Sequence, residues 1–139
     1  MNYVDASAVL RVLFHEAGPS VSFSARGPFA SSQIVVVETH RAVDRARLLG
    51  LLDDHETATK RSELAELLAM MDLATVDDTV IARAKTAFAV NVRALDAIHI
   101  ATAEILAAEV NDEVLEFWTH DERQGTAALS RGLAVRGMS

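Results

Sequence analysis

Apolar positions along the chain fall into short runs and into stretches with helical spacing, which predicts strands alternating with helices. The predicted strands are residues 1–4, 29–32, 73–76, 114–119 and 133–136. Helices are predicted from near Ser7 to Gly18, from Ile34 to Leu51, over 64–71, from Asp77 to Ala84, from Ala94 to Ala108 and over 126–129. Strands that alternate with helices indicate an α/β fold whose mostly parallel central sheet is covered by helices on both faces.

The segment Ile34–Val37 is compatible with either a strand or the start of a helix. Its β-branched residues are typical of a strand. Apolar positions nevertheless continue to Leu51 without a turn signal, and we therefore predict that a long helix begins at Ile34.

The helix predicted from Ala94 to Ala108 carries an unexpected charge. Apolar residues fall on almost every side of it, so it should be buried. Its first turn nevertheless contains Asp96, followed three residues later by His99. An ionised carboxylate is rarely buried unless it is paired or binds a metal, so this helix is the first candidate for a functional site.

Composition narrows the class of protein. The 139 residues are enough for one domain, expected to span 1–139, with a substantial core. The absence of cysteine excludes disulfides and thiolate metal sites, and favours a reducing, cytoplasmic location. Neither a secretory signal nor an apolar run of bilayer-spanning length is present, so no membrane association is expected. A net charge of −7 argues against broad, nonspecific binding of nucleic acid.

Four acidic residues follow or accompany the predicted strand ends. Asp5 ends the first strand, Glu38 lies in the helix after the second, Asp96 begins the buried helix, and Asp121 follows the fourth strand. Sites in open α/β sheets form outside the carboxyl ends of the strands, so these four residues can meet at one edge. Oxygen ligands of this kind suit Mg²⁺ or Mn²⁺, which would relieve their mutual repulsion. Such a centre activates water and stabilises an in-line phosphoryl displacement, so phosphodiester hydrolysis is the expected chemistry.

Each acid also has a purely structural interpretation, and spacing alone leaves both open. Asp96 can serve as the negative charge at a helix N-terminus. Asp5 and Asp121 can be turn or cap residues. Glu38 can pair with Arg41 or Arg45 on its own helix, and these two arginines suit either a salt-bridged face or contacts with phosphate.

Two aromatic residues invite the same comparison. His99 lies one helical turn from Asp96, a spacing that can chelate a metal. In a buried helix, however, we favour a hydrogen-bonded structural histidine. Trp118 can stack on a nucleobase, but a single aromatic residue in a strand is more typical of the core.

Four segments, in order, resemble the acidic motifs of the PIN-domain ribonucleases, and within them the VapC-like toxins of bacterial toxin–antitoxin pairs. The third segment, centred on Asp96, is the most specific. The four segments are Val4–Ala8, Val37–Ala42, Leu95–Ala101 and Thr119–Asp121, the last followed by Ala127-Ala128 and Gly132. Departures from the family pattern are the bulky Val35-Val36 before Glu38 and the polar Gln124, and neither removes an acidic position.

The resemblance implies a PIN-like three-layer sandwich and Mg²⁺- or Mn²⁺-dependent cleavage of RNA by a homodimer that a cognate antitoxin neutralises. By matching position, Asp5 and Asp96 would be the principal metal ligands. Glu38 and Asp121 would complete the catalytic site, either directly or through water. Ser7 and Thr119 match small hydroxyl positions that hydrogen-bond to the ligands.

Two alternatives belong to other functional classes. A PIN-like module can bind a partner without cleaving RNA, but such a module has no need to keep four mutually repelling acids. A phosphatase with Asp5 as its nucleophile generally requires a second acid two residues later. Position 7 is Ser, which disfavours the phosphatase.

Overall fold

The computed structural model describes residues 1–25, 27–110 and 113–138. Short strands and longer helices alternate along these residues. The strands are β1 (Asn2–Val4), β2 (Phe29–Ser32), β3 (Asp72–Ala74), β4 (Glu116–Trp118) and β5 (Ala134–Arg136). The helices are α1 (Ala6–Leu13), α2 (Ile34–Leu48), α3 (Asp54–Ala69), α4 (Asp78–Ala84), α5 (Ala94–Glu109) and α6 (Glu122–Ser130).

The five strands form one sheet in the order β3-β2-β1-β4-β5, and every neighbouring pair is parallel. This confirms the predicted α/β class. Strand order runs to one side of β1 through β2 and β3, and to the other side through β4 and β5. In such sheets a crevice opens beyond the carboxyl ends of the strands where the order reverses. Here that crevice lies beyond β1 and β4.

Helices cover both faces of the sheet, which confirms the three-layer arrangement. Val4 points to one face, where it joins a core cluster with α1, α2 and α3. Tyr3 points to the opposite face and packs with residues of α5 and α6. Its ring stacks on Phe117 of β4, with a centroid separation of 5.2 Å. Residues next to each other in β1 therefore reach different cores, as strand geometry requires.

The prediction that a long helix begins at Ile34 is confirmed, and the helix ends at Leu48. The prediction for α1 was wrong at both ends. Its N-cap is Asp5, not Ser7, because the Asp5 carboxylate accepts a hydrogen bond from the backbone N–H of Ala8 at 2.9 Å. The helix ends at Leu13, and His15 has a φ of 52°, which takes the chain out of the helix well before Gly18.

Helix α5 lies in the interior, as its apolar composition predicts, and seven of its residues are buried, including Asp96 and His99. No helix in the described ranges has both the length and the apolar character needed to cross a bilayer.

Candidate acidic active site

The four predicted site residues line a single cavity of about 240 Å³. Asp5 reaches it from the end of β1, Glu38 from α2, Asp96 from the first turn of α5, and Asp121 from the start of α6. The cavity lies beyond the carboxyl ends of β1 and β4, where the strand order reverses. Sheet topology therefore brings together acids that are up to 116 positions apart in the chain.

Asp5 is buried and is held by three hydrogen-bond donors. Its Oδ1 accepts from the Ser7 hydroxyl at 2.8 Å and from the Ala8 backbone N–H, while Oδ2 accepts from the Thr119 hydroxyl at 2.6 Å. Burial raises the pKa of Asp5 above its ordinary value, and these hydrogen bonds act in the opposite direction. Both hydroxyl residues singled out by the family resemblance thus contact Asp5.

The Thr119 hydroxyl also connects two of the acids. While donating to Asp5, it accepts a hydrogen bond from the backbone N–H of Asp121 at 3.0 Å. One side chain at the end of β4 therefore fixes the carboxylate of Asp5 and the main chain of Asp121.

Asp96 and Asp121 share the guanidinium group of Arg93. Arg93 Nε lies 3.4 Å from Asp96 Oδ2, and Nη2 lies 3.4 Å from Asp121 Oδ2. Burial raises the pKa of Asp96, the positive charge of Arg93 opposes this effect, and the nearby Asp121 adds to it. The other oxygen of Asp121 caps α6 by accepting from the backbone N–H groups of Arg123 and Gln124.

Glu38 contacts His99, not an arginine. Its Oε1 lies 2.6 Å from His99 Nε2, and His99 Nδ1 lies 2.7 Å from the Tyr3 hydroxyl. The alternative pairing of Glu38 with Arg41 or Arg45 is wrong, because among the described residues Glu38 bonds to His99 and Arg41 pairs with Asp44 at 3.2 Å. The prediction of a buried, hydrogen-bonded structural histidine at position 99 is confirmed.

Three of the acids lie at helix N-termini. Asp5 and Asp121 are the N-caps of α1 and α6, and Asp96 is the third residue of α5. The positive ends of the helix dipoles stabilise each nearby carboxylate by about 0.3–1 kcal/mol. The predicted cap roles are therefore correct, and they coexist with placement around one cavity.

The chemistry of these donors fits a hard divalent cation. The cavity presents carboxylate oxygens, and hard cations such as Mg²⁺ and Mn²⁺ prefer oxygen ligands. Both nitrogens of His99 are occupied by Tyr3 and Glu38. Within residues 1–25, 27–110 and 113–138, no three acidic or histidine side chains form a ready cation cluster, so cation binding would require them to draw together.

Sequence reasoning assigned no role in the site to three residues. Arg93 and Gln124 line the cavity, and Tyr3 is connected to it through His99 and Glu38. Arg93 precedes α5 by one residue and contacts two of the acids. A basic residue three positions before Asp96 was an available signal. Gln124 is buried and lines the cavity, which accounts for its polar character. No local pattern links Tyr3 to the site, because its partner His99 is 96 residues away.

Comparisons with known proteins show the family to which the chain belongs. Residues 3–128, which include all four acids, match the family model of the PIN domain. The chain is also similar to ribonuclease VapC46 of Mycobacterium tuberculosis (strain ATCC 25618 / H37Rv), with 33% identity over 136 residues. That alignment covers 96% of this chain and 94% of the relative.

Proposed function

Because the chain belongs to the PIN-domain family, we propose that it is a metal-dependent endoribonuclease toxin that a cognate antitoxin neutralises. The observation that carries this proposal is the convergence of Asp5, Glu38, Asp96 and Asp121 on one cavity. The similarity to a protein named ribonuclease supports RNA as the substrate class. Residues 1–139 would then act as a single PIN-like domain, working in the cytoplasm as a homodimer.

Asp5 and Asp96 would be direct ligands of Mg²⁺ or Mn²⁺, with Glu38 and Asp121 completing the site directly or through water. When bound, the cation supplies an activated water and stabilises the charge that develops on the phosphate. The residues around the ligands limit their movement: three donors hold Asp5, and the cap of α6 holds Asp121. Binding of the cation would still require the carboxylates to move closer together, starting from these held positions.

Arg93 would have a second role toward the substrate. Its side chain is 67% exposed at the cavity, and guanidinium groups bind phosphate oxygens well. The protein has a net charge of −7, so the positive charge of Arg93 beside the acids would give RNA a local basic contact. The same acidic cavity offers a docking place for a basic segment of the antitoxin.

Cleavage of a labelled single-stranded RNA oligonucleotide tests this function. The protein should cut RNA in Mg²⁺ or Mn²⁺, should stop in EDTA, and should resume when metal is added back. The Asp96→Asn variant should cleave RNA more than about 100-fold more slowly than the wild type. Loss of even an outer-shell partner of a metal ligand lowers affinity or activity by about 10–100-fold. DNA of the same sequence serves as the control for substrate class.

The result separates the enzyme from the binding module. Cleavage at the wild-type rate by Asp96→Asn, or cleavage that persists in EDTA, would contradict the proposal. RNA left intact under every metal condition would favour a module that binds a partner without cleaving. Growth inhibition on expression, relieved by co-expression of the neighbouring small gene, tests the toxin–antitoxin assignment.

A further inference from the structure

Three side chains form a hydrogen-bonded chain from the interior of the sheet to the acidic cavity. Tyr3 is fully buried in β1, and its hydroxyl lies 2.7 Å from Nδ1 of His99. His99 is 1% exposed, and its Nε2 lies 2.6 Å from Oε1 of Glu38. Only the last member of this chain, Glu38, lines the cavity.

For a neutral His99 beside an ionised Glu38, hydrogen-bond chemistry assigns which atoms donate. An ionised Glu38 carboxylate can only accept, so Nε2 of His99 carries the proton toward it. In the neutral imidazole Nδ1 is then an acceptor, and it takes the hydrogen bond that the Tyr3 hydroxyl donates. Hydrogen bonding at one ring nitrogen thus sets the role of the other, as it does for histidines in metal sites.

Packing limits the movement of the Tyr3 and His99 rings. The Tyr3 ring stacks on Phe117 at an interplanar angle of 10° and meets the His99 ring edge-on at 5.8 Å. The imidazole is therefore fixed in position by an aromatic neighbour as well as by its hydrogen bonds. Glu38, by contrast, has a long side chain with several rotatable bonds, and it loses rotamer entropy whenever it is held in one place.

We propose that His99 is a positioning residue, itself fixed by Tyr3, that holds the Glu38 carboxylate in place for a divalent cation in the acidic cavity. The inference rests on the proposed function, because it assigns the Glu38 side chain to the metal site. One oxygen of Glu38 is bonded to His99, and the other is left for the cavity. Among the described residues, no arginine pairs with Glu38, so no arginine competes with a cation for this carboxylate.

Two substitutions at position 99 separate the hydrogen bond from general packing. Gln places its amide nitrogen near the position of the imidazole Nε2, so His99→Gln keeps a donor for Glu38. Asn places its amide near Nδ1, so His99→Asn loses that donor. Titration calorimetry with Mn²⁺ should show affinity about 10–100-fold weaker for His99→Asn, and a clearly smaller loss for His99→Gln.

A merely structural role predicts a different pattern. In that case Mn²⁺ affinity would follow thermal stability, and the two His99 variants would weaken binding equally. Melting temperatures are therefore measured on the same samples. Equal losses of Mn²⁺ affinity in the two variants would overturn the proposal.

A double-mutant cycle keeps the test decisive if the His99 variants fold poorly. Tyr3→Phe removes one oxygen, and Glu38→Gln removes the charge at the other end of the chain. Tyr3→Phe should weaken Mn²⁺ binding in the wild-type background and have little further effect once Glu38 is Gln. Additive effects would show that Tyr3 does not act through Glu38.

Nitrogen-15 NMR of the imidazole gives a readout without metal. The proposal predicts that His99 has a protonated Nε2 and an unprotonated Nδ1, and the opposite tautomer would contradict it. If RNA is cut but the Mn²⁺ pattern is absent, this inference fails while the proposed function stands. If the Mn²⁺ pattern is present and RNA is never cut, the proposed function fails instead.

Discussion

The two halves of the acidic cavity hold their carboxylates by different means. Asp5 and Glu38 are held by donors within the fold: two hydroxyl groups and a backbone N–H for Asp5, and for Glu38 the His99 imidazole, which is neutral in the proposed tautomer. Asp96 and Asp121 share the positive charge of Arg93, whose side chain is 67% exposed, and Asp121 also accepts from two backbone N–H groups as the cap of α6. We call these pairs the neutral-donor half and the arginine half.

The neutral-donor half orients its carboxylates, whereas the arginine half partly compensates their negative charge. Neutral donors orient a carboxylate without cancelling its charge, so the neutral-donor half stays ready to attract a cation. Ion pairs that involve an exposed side chain are worth only about 0.2–1 kcal/mol, so Arg93 can leave its partners at low cost. In the proposed metal site, the neutral-donor half would orient its carboxylates, and the arginine half would reduce repulsion until a cation binds.

The largest effect on cation binding is expected from weakening the neutral-donor half. Thr119→Val keeps the shape of the side chain but removes the donor 2.6 Å from Asp5 Oδ2. We expect Mn²⁺ affinity, measured by calorimetry, to fall about 10–100-fold. Thr57→Val is the matched control, because Thr57 is equally buried and its hydroxyl bonds only to the backbone oxygen of Asp53. Equal losses in both variants would contradict a specific role for Thr119.

A smaller effect of opposite sign is expected in the arginine half. Arg93→Gln removes the positive charge that competes with a metal for Asp96 and Asp121. Mn²⁺ affinity should rise by up to about fivefold, the equivalent of one exposed ion pair, and the gain should shrink in high salt. Arg41→Gln removes an equally exposed arginine that pairs with Asp44, and it should leave the affinity unchanged. Weaker Mn²⁺ binding by Arg93→Gln would show that Arg93 does not compete with the cation.

The smallest expected effect is on protein stability, and it comes from burying the charge of Asp96 in the arginine half. Burial raises the pKa of Asp96 in the folded protein, so the folded state holds this proton more tightly than the unfolded state does. Wild-type stability should therefore fall as pH rises from about 4 through the raised pKa, and should remain lower above it. Asp96→Asn avoids this loss.

Thermal unfolding in EDTA checks that sign. At pH 7 the Asp96→Asn variant should melt at a higher temperature than the wild type. The difference should disappear below about pH 4, where the wild-type carboxyl is also neutral. A variant that is less stable at pH 7, or a difference that does not change with pH, would contradict this assignment.

The parts of the site that could be predicted from the sequence are those that depend on chain order. Alternating strands and helices determine a parallel sheet, and a parallel sheet brings residues after its strands to one edge. Asp5 directly follows a strand, Asp121 lies shortly after another, and Asp96 stood out as a charge in an apolar helix. Burial and topology were thus enough to place these acids together.

The partners of those acids depend on packing between distant segments. The contact between Tyr3 and His99 joins residues 96 positions apart, and that between His99 and Glu38 spans 61 positions. Local spacing instead suggested that Glu38 pairs with Arg41, one helical turn away. The error at Ser7 was local: Asp5, two residues earlier, is the N-cap, and the Ser7 hydroxyl donates to the Asp5 carboxylate. Side chains near a functional site often hydrogen-bond to site residues and not to the partners that local sequence patterns suggest.

We propose that acids from distant segments of the chain hold a divalent cation in one cavity. Anomalous X-ray diffraction from crystals equilibrated with saturating Mn²⁺ tests this most directly. The account predicts an anomalous peak in the cavity between the carboxylates of Asp5 and Asp96. A complete absence of a peak, or Mn²⁺ bound only elsewhere on the protein, would contradict it.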